Sequence, residues 1–90
     1  MEYIVDLVDV RTVEEIHDRL MEWLPLPDYY GRNLDALHDF LTEQGEPAEI
    51  TFLVDNITNS QLNDYIRRLK ILCEDAQAEN ENLSFYWQML

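Results

Sequence analysis

Three short apolar segments along the chain predict β-strands. The run YIVDLV, residues 3–8, is rich in β-branched residues and too short for a helix, which is typical of a buried strand. The run ITFLV, residues 50–54, has the same character and ends at Asp55. The run LSFYWQML, residues 83–90, predicts a third strand at the carboxyl end.

A first amphipathic helix is predicted over residues 13–24. Thr12 followed by Glu15 forms a capping box at its start. Pro25 and Pro27 end it, because proline lacks a backbone donor and excludes helical geometry from the residue before it. Residues 25–32 are therefore predicted to be a loop. The apolar positions that recur at helical spacing are Val13, Ile16, Leu20, Trp23 and Leu24.

A second, shorter helix is predicted to begin after Asn33, which is a good N-cap. At about 100° per residue its middle polar positions are Asp35 and Asp39, opposite the apolar side. Like charges four residues apart cost a few tenths of a kcal/mol on an isolated helix, so stability does not explain this pair. The apolar side consists of Leu34, Leu37, Phe40 and Leu41.

A longer helical period covers residues 56–80, as one long helix or two consecutive helices. Strands that alternate with helices predict an α/β fold with a parallel sheet and right-handed crossovers, in a single domain over residues 1–90. With three strands, helices are expected to cover mainly one face, and the strand order is not fixed. The apolar positions of the long segment are Leu62, Tyr65, Ile66, Leu69, Leu72 and Ala76.

Acidic residues dominate the charge of this small chain. It has 90 residues, of which 47% are apolar, and its 19 acids and 6 bases give a formal net charge of −13. A domain of this size has little room for an internal active site, which favours a surface function. An acidic surface repels phosphate backbones and attracts basic proteins, so direct nucleic-acid binding is not expected.

The single cysteine and the amino terminus bear on the cellular compartment. Cys73 stands alone, which excludes an internal disulfide and a cysteine zinc site, and is typical of a reducing environment. The start MEYIVDLVDV has no basic region before its apolar residues, so neither a signal peptide nor a membrane span is predicted. We expect a cytoplasmic protein without a cofactor.

The sequence gives little support for a catalytic site. Asp35 and Asp39 could act as an acid–base pair, but that role needs a cleft, and the alternative of a solvated helix face is about as good. His17 and His38 lie on different predicted helices without metal-ligand spacing, His17 as a boundary residue and His38 on the polar face. With two glycines there is no phosphate loop, and no nucleophile elbow is found. The sequence predicts a protein that is not an enzyme.

Two adjacent tyrosines in the predicted loop indicate a binding surface. Tyr29 and Tyr30 cannot easily both point into one small core, so one of them is expected to be exposed. Exposed tyrosine beside acids is the composition of interface hot spots. The alternative is one packed tyrosine and one without a role.

The stretch LPDYYGRNLDAL, followed by HDFL, resembles the barstar family, the intracellular inhibitors of secreted bacterial ribonucleases. The resemblance implies a small sheet of three parallel strands packed with about four helices. It also implies a protein that plugs a ribonuclease active site. Asp39 would occupy the phosphate position, Asp35 would pair with a second cation, and Tyr29 would pack against a histidine or arginine of the enzyme.

The resemblance also implies a set of partner-binding residues and one partner. The partner would be a basic, barnase-like secreted ribonuclease, bound by a monomer in a 1:1 complex. His38 stands where the family usually has tryptophan, and residues 43–48 lack the usual aromatic. An acidic adaptor of the same fold is the alternative function, and a small hydrolase that uses the aspartate pair is a weaker third. The predicted partner-binding residues are Tyr29, Tyr30, Gly31, Asn33, Leu34, Asp35, His38, Asp39, Thr42, Ile71 and Glu74.

Overall fold

The computed structural model describes all residues 1–90 and shows an α/β fold with a three-stranded parallel sheet. The strands lie in the order β1-β2-β3, so each strand pairs with its neighbour in sequence. The predicted α/β class and parallel sheet are confirmed. The elements in chain order are β1 (Glu2–Asp6), α1 (Val13–Trp23), α2 (Leu34–Thr42), β2 (Ala48–Val54), α3 (Ser60–Glu79) and β3 (Leu83–Met89).

The hydrophobic core lies on one face of this sheet. Alternate residues of the central strand β2, such as Ile50 and Phe52, are almost fully buried there. Phe52 stacks on Trp87 of β3 at 4.3 Å between ring centroids, and Lys70 of α3 lies 5.0 Å above the Trp87 ring. The other face stays open, because Ile4 and Tyr86 in its outer strands are 56% and 53% exposed.

Polar caps set the start of each helix. The side chain of Thr12 accepts a hydrogen bond from the Glu15 amide at 3.1 Å, as the capping box predicts. Asn33 accepts from the Ala36 amide at 2.8 Å and so begins α2 at Leu34. Asn59 caps α3 in the same way. Each cap satisfies a backbone donor that the first helical turn leaves unpaired.

The expected number of about four helices is wrong, since the chain forms three. Residues 60–79 contain no proline or glycine, so nothing interrupts α3 over its 20 residues. Residues 25–33, which we call the proline loop, form a turn in which the Tyr30 amide donates to the Pro27 carbonyl at 3.0 Å. None of the three helices is both long and apolar enough to cross a bilayer.

Asn80 and Asn82, which follow α3, help to hold the carboxyl end of α2, and Asn82 donates from its amide nitrogen to the Gln44 carbonyl at 3.1 Å. Asn80, the C-cap of α3, donates from its amide nitrogen to the carbonyls of Leu41 at 3.1 Å and Gln44 at 2.9 Å. Its amide oxygen accepts from the Asn82 backbone at 3.0 Å. These contacts supply partners for carbonyl groups that the last turn of a helix leaves free. Both ends of α2 are therefore held by asparagine side chains.

Candidate partner-binding surface

Three acids form a row along the exposed side of α2. Asp35, Asp39 and Glu43 follow one another at four-residue intervals, and all three are exposed. The opposite side of the helix is anchored in the core by Leu37 and Leu41, each 1% exposed. No acid of this row belongs to any of the four ion pairs of the molecule. The row therefore presents negative charge that the protein does not neutralise.

The two tyrosines of the proline loop point in opposite directions. Tyr29 is 88% exposed, whereas Tyr30 is 7% exposed. The expectation that one of the two would be exposed is confirmed. The Tyr30 hydroxyl lies 2.7 Å from Nδ1 of His17, so this residue anchors the loop from inside. Tyr30 is in the predicted partner-binding set, but its ring has little surface to offer.

Arg32 ties the proline loop to α1. Its backbone is left-handed, with φ of 55°, and its guanidinium donates to the Glu14 carbonyl at 3.0 Å and the Asp18 carboxylate at 2.6 Å. The sequence analysis assigned it no role. The sequence did contain a signal for this contact. Arg32 is the one arginine or lysine between residues 20 and 66, and the acids Glu14 and Asp18 lie four residues apart on one side of a helix.

His17 lies in the core, and its predicted position at a boundary is wrong. It is 1% exposed, with Nδ1 at 2.7 Å from the Tyr30 hydroxyl and Nε2 at 2.7 Å from the Tyr65 hydroxyl. Burial lowers the pKa of His17 below its usual 6.5, and the Arg32 charge adds to this while Asp18 opposes it. The sequence signal was the spacing, because His17 lies one residue after Ile16 on the apolar side of α1.

A depression of about 210 Å³, here the loop cleft, lies between the proline loop and α2. It brings together Asp39 and Tyr29, two of the predicted binding residues, and adds Glu43, which the sequence analysis did not include. Gly31 lines it too, where a Cβ would lie 3.1 Å from Nδ2 of Asn33 and 3.4 Å from Cβ of Ala36. The lining residues are Pro27, Tyr29, Tyr30, Gly31, Ala36, Asp39, Phe40 and Glu43.

A second depression of about 360 Å³, here the helix groove, lies between α2 and α3. Seven residues line it, and they include Asp35 together with acidic, basic, imidazole and apolar side chains from both helices. Nε2 of His38 lies 3.0 Å from Oε2 of Glu79, so His38 links α2 to α3. The sequence analysis placed His38 on the polar face of the helix and did not predict this contact with α3. The lining residues are Leu34, Asp35, His38, Arg68, Ile71, Leu72 and Asp75.

Comparison with known proteins places this architecture in one family. The family model described as "Barstar (barnase inhibitor)" matches residues 1–89. The chain belongs to the barstar family. A relative from Bacillus subtilis (strain 168), named "Putative ribonuclease inhibitor YrdF", is 38% identical over 78 residues, which are 84% of this chain and 85% of that protein. Barstar-family proteins are inhibitors, which fits the prediction that the chain is not an enzyme.

The remaining predicted residues of this barstar-family chain lie outside both depressions. Asn33 caps α2, and the Thr42 hydroxyl donates to the His38 carbonyl at 3.0 Å, so both support the helix. Glu74 is exposed on α3. The His, Cys, Asp and Glu side chains form no group that could hold a metal ion. The surface offers the exposed carboxylates of Asp35 and Asp39 and the exposed ring of Tyr29.

Proposed function

We propose that this chain inhibits a secreted bacterial ribonuclease by covering the enzyme's active site with α2 and the proline loop. One observation carries the proposal: Asp35 and Asp39 are exposed on a capped, core-anchored helix, and neither has a cation of its own. Carboxylates held in this way are ready to pair with cations supplied by another molecule.

The chemistry of a ribonuclease active site complements this surface. Such a site holds the phosphates of RNA with arginine, lysine and histidine side chains, so a projecting carboxylate can take the place of a phosphate. We assign that place to Asp39, which lies in the loop cleft with Tyr29. Asp35, in the helix groove, would pair with a second cation. The exposed ring of Tyr29 would pack against a histidine or arginine at the rim.

The net charge of −13 supports the same kind of partner. A basic enzyme is attracted over a distance of about one Debye length, roughly 8–10 Å near physiological salt, which speeds encounter. We propose a 1:1 complex with a monomeric inhibitor in the cytoplasm of the cell that makes the ribonuclease. The family and the relative named as a ribonuclease inhibitor agree with this role.

An inhibition assay distinguishes this function from that of an acidic adaptor with the same fold. The purified chain is titrated into barnase and into secreted ribonucleases encoded beside its own gene, while RNA cleavage is followed. We expect stoichiometric inhibition of at least one enzyme, with association that slows as NaCl is raised. An adaptor would leave every nuclease fully active. Cleavage of RNA by the chain alone would show an enzyme instead.

A further inference from the structure

The buried ring of His17 joins the proline loop to α3. Its two nitrogens each meet a tyrosine hydroxyl at 2.7 Å, Tyr30 from the loop and Tyr65 from α3. The loop has no other hydrogen-bonded connection to α3, because Arg32 bonds only to α1. The His17 ring therefore supplies the hydrogen-bonded connection between the loop and α3.

The protons of this cluster can be assigned from its hydrogen bonds. A neutral imidazole has one donor and one acceptor nitrogen. If Tyr65 donates to Nε2, then Nδ1 donates to the Tyr30 oxygen, and the Tyr30 hydroxyl is free to donate to the Asn33 carbonyl at 3.5 Å. In this arrangement every polar atom of the cluster has a partner, as a buried cluster requires.

The chain of hydrogen bonds ends at the first turn of α2. The Asn33 carbonyl also accepts from the Leu37 amide at 3.1 Å, which is the first backbone bond of that helix. The Asn33 side chain accepts from the Ala36 amide at 2.8 Å. Tyr29 lies in the loop before this turn, and Asp39 lies in the helix just after it. A path of named contacts thus runs from α3 through His17 to the base of the acidic surface.

We propose that His17 is a positioning residue for the inhibitory surface, and that through Tyr30 and Tyr65 it fixes the proline loop and the start of α2 before a partner arrives. This inference rests on the proposed function for its purpose. A loop and helix already fixed in the bound arrangement lose less conformational freedom on association, which increases affinity. His17 touches no partner in this scheme, since it is 1% exposed.

The free protein provides the first test, with Tyr65→Phe as the variant. It removes one hydroxyl at the α3 end and keeps the ring, and Tyr86→Phe on the open sheet face is the matched control. We expect amide hydrogen exchange at Ala36 and Leu37 to become about five-fold faster in Tyr65→Phe, the usual effect of one lost hydrogen bond. Exchange at Phe52 in the central strand should not change.

Two exchange results would overturn the inference. One is equal acceleration at Phe52, which would mean a general loss of stability. The other is exchange at Ala36 and Leu37 that matches Tyr86→Phe, which would mean that no connection exists. Tyr30→Phe should accelerate exchange at the same amides. The double variant should show less acceleration than the two single effects combined, because both substitutions interrupt the same series of hydrogen bonds through His17.

Binding to the ribonuclease that the chain inhibits provides the second test. We expect Tyr65→Phe to weaken the complex several-fold relative to Tyr86→Phe, and to have a smaller effect when Asp39→Ala is already present. Equal affinity of the two tyrosine variants would overturn the inference while the proposed function stands. If the unsubstituted chain inhibits no ribonuclease, the proposed function fails, and the exchange experiment alone decides whether His17 fixes the surface.

Discussion

Asp35 and Asp39 are chemically identical, but the two carboxylates have different surroundings. Asp39 shares the loop cleft with Glu43 and with no base. Asp35 shares the helix groove with one further acid, Asp75, and with one base, Arg68, which is in none of the ion pairs. The loop cleft therefore has two acids and no base, whereas the helix groove has two acids and one base, so we expect a cation to be attracted more strongly at Asp39. On this ground we expect Asp39 to contribute more to binding than Asp35.

We predict that Asp39→Ala weakens the complex with the inhibited ribonuclease more than Asp35→Ala or Tyr29→Ala does. Removing one partner of a buried charge pair costs about 2–5 kcal/mol, or at least about 30-fold in Kd. Calorimetric titration of the three variants measures this ranking. Glu49→Ala is the charge-matched control, because Glu49 is exposed on the open sheet face, and it should bind almost normally.

The same substitutions should hardly change folding. All three side chains are exposed, so their removal is expected to alter the free energy of unfolding by no more than about 0.5 kcal/mol. Urea denaturation of the free variants checks this. A large loss of stability in Asp39→Ala would show a structural residue, and unchanged affinity in a stable Asp39→Ala would contradict the assigned binding mode.

The buried His17 makes stability depend on pH. The pKa of His17 in the folded protein lies below 6.5, its ordinary value in the unfolded chain. At a pH between the folded pKa and 6.5, the unfolded chain therefore binds a proton that the folded protein does not. The free energy of unfolding should therefore fall as the pH drops through this window, with a limiting slope of about 1.4 kcal/mol per pH unit for one proton. Above pH 6.5 this contribution is complete.

An NMR titration of the imidazole C–H resonances tests this without any substitution. The His17 signal should stay in its neutral position as the pH falls through 6.5 and change only at lower pH, together with the onset of acid unfolding. Titration of His17 at its ordinary pKa in the folded protein would show that its burial does not oppose the charge.

The helices and strands differ in how far the sequence determined them. Thr12, Asn33 and the two prolines bounded α1 and α2 correctly, because caps and proline act within a few residues. The long segment was left as one helix or two, since its own sequence has no break and only packing on the sheet shows that it stays whole. The strand order also required the tertiary structure, because it depends on which strands pair and not on the sequence within each strand.

The binding surface was predicted in part for a similar reason. An exposed tyrosine in the loop and the pair Asp35 and Asp39 follow from local pattern and from resemblance, whereas Glu43 was not included. The roles of His17 and His38 depend on Tyr65 and Glu79, which lie far along the chain on α3. Helical spacing places His17 on the apolar side of α1, but it does not indicate which distant residues either histidine contacts. The supporting residues of the surface were therefore the part that sequence analysis missed.

Asn80 provides a test of how α2 is held at its carboxyl end. We predict that Asn80→Ala lowers the free energy of unfolding by about 1–3 kcal/mol, because the Leu41 carbonyl loses its side-chain donor and the Gln44 carbonyl keeps only the donor from Asn82. Urea denaturation measures the loss, and Gln77→Ala on the exposed side of α3 is the control. Asn80→Asp should be worse, since it places an acceptor against those carbonyls. Equal stability of the Asn80 and Gln77 variants would refute this.

The whole molecule carries more negative charge than its bases can offset. Of its six bases, Arg19, Arg32 and Arg67 are already in ion pairs with acids. The remaining acids repel one another in the compact state, which lowers stability in favour of solubility and attraction to basic partners. The same charge that supports binding therefore acts against folding.

We predict that NaCl stabilises the free protein. Raising the salt from about 10 mM to about 0.5 M shortens the Debye length several-fold and screens the repulsion among acids. The thermal midpoint should rise over this range, whereas the rate of association with a basic ribonuclease should fall. Calorimetry and stopped-flow measurements follow the two effects, with sucrose as a non-ionic control. A midpoint that falls with salt would mean that attractive pairs dominate.

The position of α2 between the loop cleft and the helix groove has a consequence for how new partners could be acquired. The loop side is built from residues adjacent in sequence, while the groove side draws on α3 as well. Substitutions at Ile71 or Asp75 can therefore accumulate without disturbing Asp39 and Tyr29. A lineage could keep one half of its surface for the shared chemistry of ribonucleases and let the other half follow the changes of a particular enzyme.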